Sequence, residues 1–78
     1  MDYQTHFNGM IKSEYVIWGI PPDLEDDPLN DTLLLASHDG KVITDYDTAV
    51  QFQNFLVDKI GCKSTRIQKI TFWNGRGI

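Results

Sequence analysis

The chain contains one short stretch in which apolar residues fill nearly every position, Glu14-Tyr15-Val16-Ile17-Trp18-Gly19-Ile20. β-Branched and aromatic residues favour extended backbone, so this run predicts a β-strand. A strand that is apolar on both faces is usually central in its sheet. Gly19 predicts a bulge or the close approach of another backbone. Because successive side chains of a strand point to opposite faces, one face carries Val16, Trp18 and Ile20 and the other carries Tyr15 and Ile17.

An acidic loop follows this strand directly. Pro21 and Pro22 remove two backbone donors and end the strand, and Pro28 restricts the residue before it to extended geometry. The segment Pro21–Asn30 is too polar for burial, and we expect it to be stiff. The loop and the residue after it carry the carboxylates that we expect to bind a partner, which are Asp23, Glu25, Asp26, Asp27 and Asp31.

Two further strands are predicted to form a hairpin. The apolar runs Thr32–Ser37 and Lys41–Thr44 flank the turn sequence His38-Asp39-Gly40. Asp-Gly is a strong hairpin signal, because glycine adopts a positive φ at little cost. We therefore expect an antiparallel pair.

Residues 45–60 have the periodicity of an amphipathic helix. Thr44 is predicted as the N-cap, with Asp47 completing a weak capping box, and Gly61 as the C-terminal stop. One apolar stripe is predicted to face the core, and it consists of Ala49, Phe52, Leu56 and Ile60, flanked by Phe55 and Val57.

The last predicted strand is Thr65–Trp73, in which Ile67 is out of phase with Ile70, so either a bulge interrupts it or one face is mixed. The order β-β-β-α-β predicts an α+β fold, with one amphipathic helix packed on one face of a small, mostly antiparallel sheet. We expect a loose N-terminal arm over residues 1–12, a single domain over 13–73 and a frayed tail over 74–78. The order of the strands in the sheet stays open.

Composition excludes several classes of protein. The 78 residues suffice for one modest core. Cys62 is the single cysteine, so an internal disulfide is impossible and a reducing compartment is favoured. The N-terminus lacks a signal-peptide pattern, and no apolar run approaches the roughly 18 residues of a membrane helix. We expect a cytoplasmic protein without membrane association.

Charge is distributed unevenly around a net value of −4. Residues 21–47 contain eight acids and one base, whereas residues 59–78 contain five bases and no acid. These segments either form separate patches or neutralise each other in space, and the sequence leaves both arrangements open.

No catalytic or cofactor-binding motif is present in the sequence. His6, His38 and Cys62 offer a base and a nucleophile, but nothing in their spacing brings them together. The pattern Asp23-x-Glu25-x-Asp27 begins like a calcium loop yet lacks the glycine and the glutamate that complete one. We expect a non-enzymatic protein without cofactor or metal.

The sequence also leaves two alternatives to protein binding open. Basic residues interleaved with an aromatic residue near the C-terminus could bind a single-stranded nucleic acid, although a sequence pI near 4.8 disfavours this function. These residues are Lys63, Arg66, Lys69 and Trp73. The second alternative is a structural homodimer that forms through the edge of the sheet.

Two segments resemble small uncharacterised proteins encoded by phages, prophages and plasmids, namely Tyr15–Pro22 and Gly61-Cys62 followed by Arg66–Ile70. In size and acidity the chain is also similar to phage anti-defence inhibitors such as anti-CRISPR proteins. The resemblance implies an accessory or inhibitory protein of a mobile genetic element that acts by protein–protein contact. It carries over no functional residue, because such inhibitors share no motif.

The residues themselves suggest how such contact would be made. The loop carboxylates would engage a protein partner with a basic surface, since opposite charges steer association. Tyr15 and Trp18 would serve as core residues of the central strand or as anchors beside the loop.

Overall fold

A computed structural model describes the backbone of residues 11–73 and the side chains of residues 13–71. Its strands are β1 (Ile11–Ile20), β2 (Thr32–Leu35), β3 (Ser37–His38), β4 (Lys41–Val42) and β5 (Lys63–Trp73). Helix α1 (Tyr46–Phe55) continues into a π-helical turn (Leu56–Ile60), and a 3₁₀ turn (Pro28–Asn30) precedes β2. The predicted α+β fold is confirmed. The predicted tail, residues 74–78, and all but Ile11 and Lys12 of the predicted arm lie outside the described residues.

Strand β1 is the centre of the main sheet, as the sequence predicts. The sheet has the order β2-β1-β5, and both pairings are antiparallel. The ladder with β5 runs the length of β1, whereas β2 pairs only with the segment Ile17–Gly19. Ile17 is fully buried at the point where all three strands meet.

Gly19 has the close backbone approach that was predicted for it, and it lies opposite a bulge. Between the pairs Trp18–Arg66 and Ile20–Lys63, β1 has only Gly19 whereas β5 has Ser64 and Thr65, so the extra residue of the bulge is in β5. A β-carbon at Gly19 would lie 2.7 Å from Leu34 Cδ1 and 3.0 Å from the carbonyl oxygen of Lys63. The absence of a side chain therefore lets β2 and β5 close on β1.

We predict that Gly19→Ala lowers the free energy of unfolding by about 1–3 kcal/mol, because the added methyl group overpacks a site walled partly by backbone. Urea denaturation would measure the change. Gly40→Asn is the control for backbone strain without overpacking: nothing lies within 4 Å of a β-carbon there, and the φ of 78° is one that asparagine adopts more readily than most residues, so its loss of stability should be the smaller one. Equal stability of the Gly19 variant and the wild type would contradict the packing described here.

The predicted hairpin turn is confirmed, but its strands are shorter than expected. Asp39 and Gly40 have φ values of 57° and 78°, which suit a two-residue turn between β3 and β4. The chain bends after Leu35, so β2 joins β1 and only Ser37–His38 enters the hairpin. The hairpin is tied to the main sheet by a 2.8 Å bond from Tyr15 N–H to the carbonyl of Ile43.

Helix α1 begins one residue later than predicted. Asp45, and not Thr44, is the N-cap, because its backbone is extended and its carboxylate accepts hydrogen bonds from Thr48 N–H at 3.0 Å and Thr48 Oγ1 at 3.1 Å. An aspartate at this position also suits the positive end of the helix dipole.

Replacing the N-cap tests this assignment. We predict that Asp45→Ala lowers the free energy of unfolding by about 1 kcal/mol, whereas Thr44→Ala changes it by only a few tenths. Thermal and urea denaturation of both variants would decide the matter. A larger loss for the Thr44 variant would reinstate Thr44 as the cap.

The C-terminal part of the predicted apolar stripe does not reach the core. Ala49 is fully buried, but Ile60 is 45% exposed and Val57 43% exposed. A π-helical turn has i→i+5 hydrogen bonds and therefore advances fewer degrees per residue than an α-helix, so the stripe rotates towards solvent. Gly61, at φ 92°, ends the helix as predicted, and its N–H bonds the carbonyl of Leu56.

The helix covers one face of the sheet. Gln53 Nε2 donates to Thr65 Oγ1 at 3.1 Å, and the rings of Tyr46 and Tyr15 meet edge to face with centroids 5.6 Å apart. Register is continuous in β5 from Arg66 to Trp73, so the predicted irregularity there is a mixed face and not a bulge. By alternation, Trp18, Arg66 and Gln68 lie on the face opposite the helix.

Candidate functional site

The acidic loop is held rigid by its own hydrogen bonds. Asp27 caps the 3₁₀ turn, since its Oδ1 accepts a 2.9 Å bond from Leu29 N–H. Asn30 Nδ2 donates to the carbonyl of Glu25 at 2.9 Å, and the N–H of Asp27 donates to the same carbonyl at 2.8 Å. These hydrogen bonds within the loop restrict its backbone in addition to the prolines from which stiffness was predicted.

The loop is also fastened to the beginning of β5. Lys63 Nζ donates to the carbonyls of Pro22 and Leu24, and Ser64 Oγ donates to Asp26 Oδ1 at 2.7 Å. Ser64 has a φ of 51°, in the left-handed region that few non-glycine residues adopt. This local conformation lies at the shifted register where loop, β1 and β5 converge.

A bidentate ion pair forms the third attachment. Arg66 Nη1 and Nη2 donate to the two carboxylate oxygens of Asp31 at 2.7 and 2.8 Å. The guanidinium also lies over the ring of Trp18, with 5.7 Å from Cζ to the ring centroid. Trp18 Nε1 donates to Gln68 Oε1 at 2.7 Å, so one connected cluster spans β1, β5 and the end of the loop.

An open concavity of about 320 Å³ separates the loop from β5. Its lining combines apolar side chains with polar and charged ones, namely Ile20, Asp26, Pro28, Asp31, Ser64 and Arg66. The site is therefore a shallow surface depression with a charged rim, which suits the side chain of a protein partner more than a small enclosed substrate.

The five predicted carboxylates divide into two groups. Asp26, Asp27 and Asp31 accept hydrogen bonds within the chain, so they brace the loop. Asp23 and Glu25 are exposed, and no described residue donates a hydrogen bond to either side chain. Charge compensation, which the sequence leaves open, is partial: among the described residues Arg66 forms an ion pair with Asp31, whereas Lys63 donates to the carbonyls of Pro22 and Leu24.

The two predicted anchors are separated by the sheet. Trp18 lies beside the loop in the cluster with Arg66, whereas Tyr15 lies on the helix side against Tyr46. Both are half-buried. Only Trp18 therefore belongs to the candidate site.

The predicted nucleic-acid residues do not form one basic surface. Lys63 and Arg66 are engaged by the acidic loop, and alternation places Lys69 on the opposite face from Arg66. The side chain of Trp73 lies outside the described residues. A phosphate backbone would have to compete with the Asp31 carboxylate for Arg66 and with two loop carbonyls for Lys63, which weakens binding.

Two site residues escaped the sequence analysis, Ser64 and Gln68. For Gln68 a signal exists, since Arg66 and Gln68 are two apart and share a face with Trp18 once β1 and β5 are antiparallel. For Ser64 no pattern in the sequence indicates a left-handed backbone.

Other chemically versatile residues lie apart from this site. Cys62 is buried, and the His38 ring lies against Phe52 with centroids 4.9 Å apart. His6 lies outside the described residues. Within residues 13–71, no three acidic, histidine or cysteine side chains are arranged to hold a metal ion.

Comparison with known proteins identifies no relative. No family model matches the chain, and neither the curated proteins nor the solved structures contain a match. None of the described helices has the length and apolar character that crossing a membrane would require.

The ion pair links stability to pH. The hydrogen bonds from Arg66 lower the pKa of Asp31 below its ordinary value of 3.8, with the guanidinium charge acting in the same direction. A carboxyl with a depressed pKa stabilises the fold above its unfolded pKa, and this stabilisation is lost as pH falls through the folded pKa.

We predict that Asp31→Asn is less stable than the wild type at neutral pH. The difference should shrink as pH falls below 3.8 and disappear once pH is below the depressed pKa of the folded carboxyl, where the wild-type side chain is also neutral. Urea denaturation midpoints measured from neutral pH to about pH 2 would show the convergence. Arg66→Lys serves as a control, because lysine keeps the positive charge but cannot form the bidentate hydrogen bonds of the guanidinium. In this background Asp31→Asn should cause a smaller pH-dependent loss of stability. A difference that is independent of pH would contradict this role of the ion pair.

Proposed function

We propose that this protein is a non-enzymatic binding module that engages a protein partner with a basic surface through the loop Pro21–Asp31 and the adjoining Trp18. The observation that carries the proposal is that the carboxylates of this segment fall into two groups with different roles. Three carboxylates fasten it, and Asp23 and Glu25 remain exposed on a fixed backbone. Binding through a preorganised loop avoids the entropic cost of ordering it.

The neighbouring cluster supplies a second contact region. Tryptophan and arginine are enriched among the residues that dominate binding energy at protein interfaces. Here the Arg66 side chain is 57% exposed, although Asp31 fixes its orientation. A partner that approaches the loop would meet this rigid surface next to the two available carboxylates.

The proposed biological setting rests on the resemblance of Tyr15–Pro22, and of Gly61-Cys62 with Arg66–Ile70, to proteins of mobile elements. We infer an accessory or inhibitory role in such an element, in which the acidic loop occupies a basic surface on a host or defence protein. Acidity supports this inference, because the chain has a net charge of −4 and the exposed carboxylates of Asp23 and Glu25 present negative charge as a nucleic acid does.

Charge reversal of the exposed pair tests the proposal. Partners captured from a host lysate on wild-type protein would be identified by mass spectrometry, purified and studied by surface plasmon resonance. We predict that Asp23→Lys with Glu25→Lys slows association by roughly tenfold and reduces its salt dependence, because charges at a rim act mainly on the association rate.

Asp47→Lys with Asp58→Lys is the matched control, since both side chains are exposed on the helical segment and the change in net charge is identical. This control should retain wild-type association within about twofold. Equal slowing in both double variants would show that net charge alone matters, and wild-type binding by the loop variant would overturn the proposal.

A further inference from the structure

The outer edge of β5 is a regular template for another strand. Strand β5 lies at one end of the sheet order β2-β1-β5, and no described residue pairs with its outer edge. From Arg66 to Trp73 the strand contains neither proline nor bulge, two of the devices that proteins use to block such edges. Charged side chains are a third such device, so a strand that pairs here must accommodate Arg66 and Lys69.

The hydrogen bonds of β1 identify the backbone groups that this edge presents. Tyr15 N–H donates to Ile43 and so points away from β5. Tyr15 and Lys69 are therefore a non-hydrogen-bonded pair of the antiparallel ladder, and the N–H and C=O of Lys69 also point outward. By the two-residue period, Ile67 and Thr71 present their backbone groups at the same edge.

We propose that a second copy of this chain occupies the edge, with β5 pairing antiparallel to β5 about a two-fold axis at Gln68. This register aligns outward-facing residues, since Ile67 opposes Lys69 of the second copy and exchanges two hydrogen bonds with it. The result is one continuous sheet of six strands. A two-fold interface of this kind is self-complementary.

The side-chain pattern of β5 favours this register. About Gln68, Lys69 opposes Ile67 of the second copy, so the aliphatic stem of the lysine covers an apolar residue. Arg66 opposes Ile70, but Asp31 holds its guanidinium over Trp18, so this charge is directed towards β1 and away from the second copy. Thr65 opposes Thr71, which is a favourable cross-strand pair. Shifting the axis to Lys69 would place that ammonium group opposite its own copy, and shifting it to Ile67 would shorten the overlap.

A charge-swap experiment tests the axis directly. Gln68→Lys and Gln68→Glu each place like charges opposite each other at the two-fold, so each alone should dimerise roughly fivefold more weakly than wild type. An equimolar mixture should form a heterodimer at least as tight as the wild-type homodimer. Sedimentation equilibrium up to about 1 mM would measure each constant.

Gln68→Ala controls for the lost hydrogen bond from Trp18 and should dimerise within about threefold of wild type, because it introduces no charge. Wild-type protein that stays monomeric throughout this range would overturn the proposal. The proposal would also be overturned if the equimolar mixture of the Lys and Glu variants dimerised no more tightly than either variant alone.

A backbone variant provides a second, independent test. Thr71→Pro removes an N–H that points away from β1, so the β1–β5 ladder keeps its bonds while the outer edge loses a donor. We expect dimerisation to weaken on the order of tenfold, with Thr71→Ala as the control that stays near wild type. Unchanged dimerisation of the folded proline variant would rule out pairing along this edge. The Thr71 test changes neither the loop carboxylates nor the cluster of Trp18, Arg66 and Gln68, so its failure would leave the proposed partner binding untouched.

Discussion

The antiparallel ladder between β1 and β5 is the constraint on which the other elements depend. It joins residues 11–20 to residues 63–73, so it closes nearly the whole described chain into one loop. Everything between these strands is placed against the ladder: β2 on the free edge of β1, the helix on one face, and the acidic loop at one end. Ile17, with no exposed surface, lies where these attachments meet.

Closing the ladder also brings together the oppositely charged parts of the sequence. The acidic loop leaves β1 at Ile20, and the basic strand begins beside it at Lys63. Arg66 therefore neutralises Asp31, Lys63 donates to two loop carbonyls, and these bonds fix the shape of the loop. The same proximity explains why the basic strand does not form an independent phosphate-binding surface, because the acidic segment already occupies both cations.

Periodicity and turn chemistry were sufficient to predict the fold class, the central position of β1, the Asp39-Gly40 turn and the stop at Gly61. These features follow from short-range preferences, which a single sequence contains. The N-cap at Asp45 and the exposure of Ile60 were missed, because Thr44 and Asp45 are both good caps and a π-helical turn leaves no compositional signal. The candidate site was predicted as a list of acids. Its division into bracing and exposed carboxylates depends on contacts across 35 to 41 residues, as between Asp31 and Arg66 or Pro22 and Lys63, and local patterns do not determine such contacts.

The pairing of Ile11 with Trp73 has a mechanical consequence. Ile11 and Trp73, from which the chain continues towards its two termini, lie side by side at one end of the sheet. The acidic loop lies at the other end, and the rise per residue of an extended strand puts it about 30 Å away. Tension applied between the termini would therefore open the ladder one residue pair at a time, from Ile11 and Trp73 inwards, instead of shearing all its hydrogen bonds together. The pairs next to the acidic loop would separate last. The loop would therefore keep its conformation while the strand pairs near Ile11 and Trp73 were already broken.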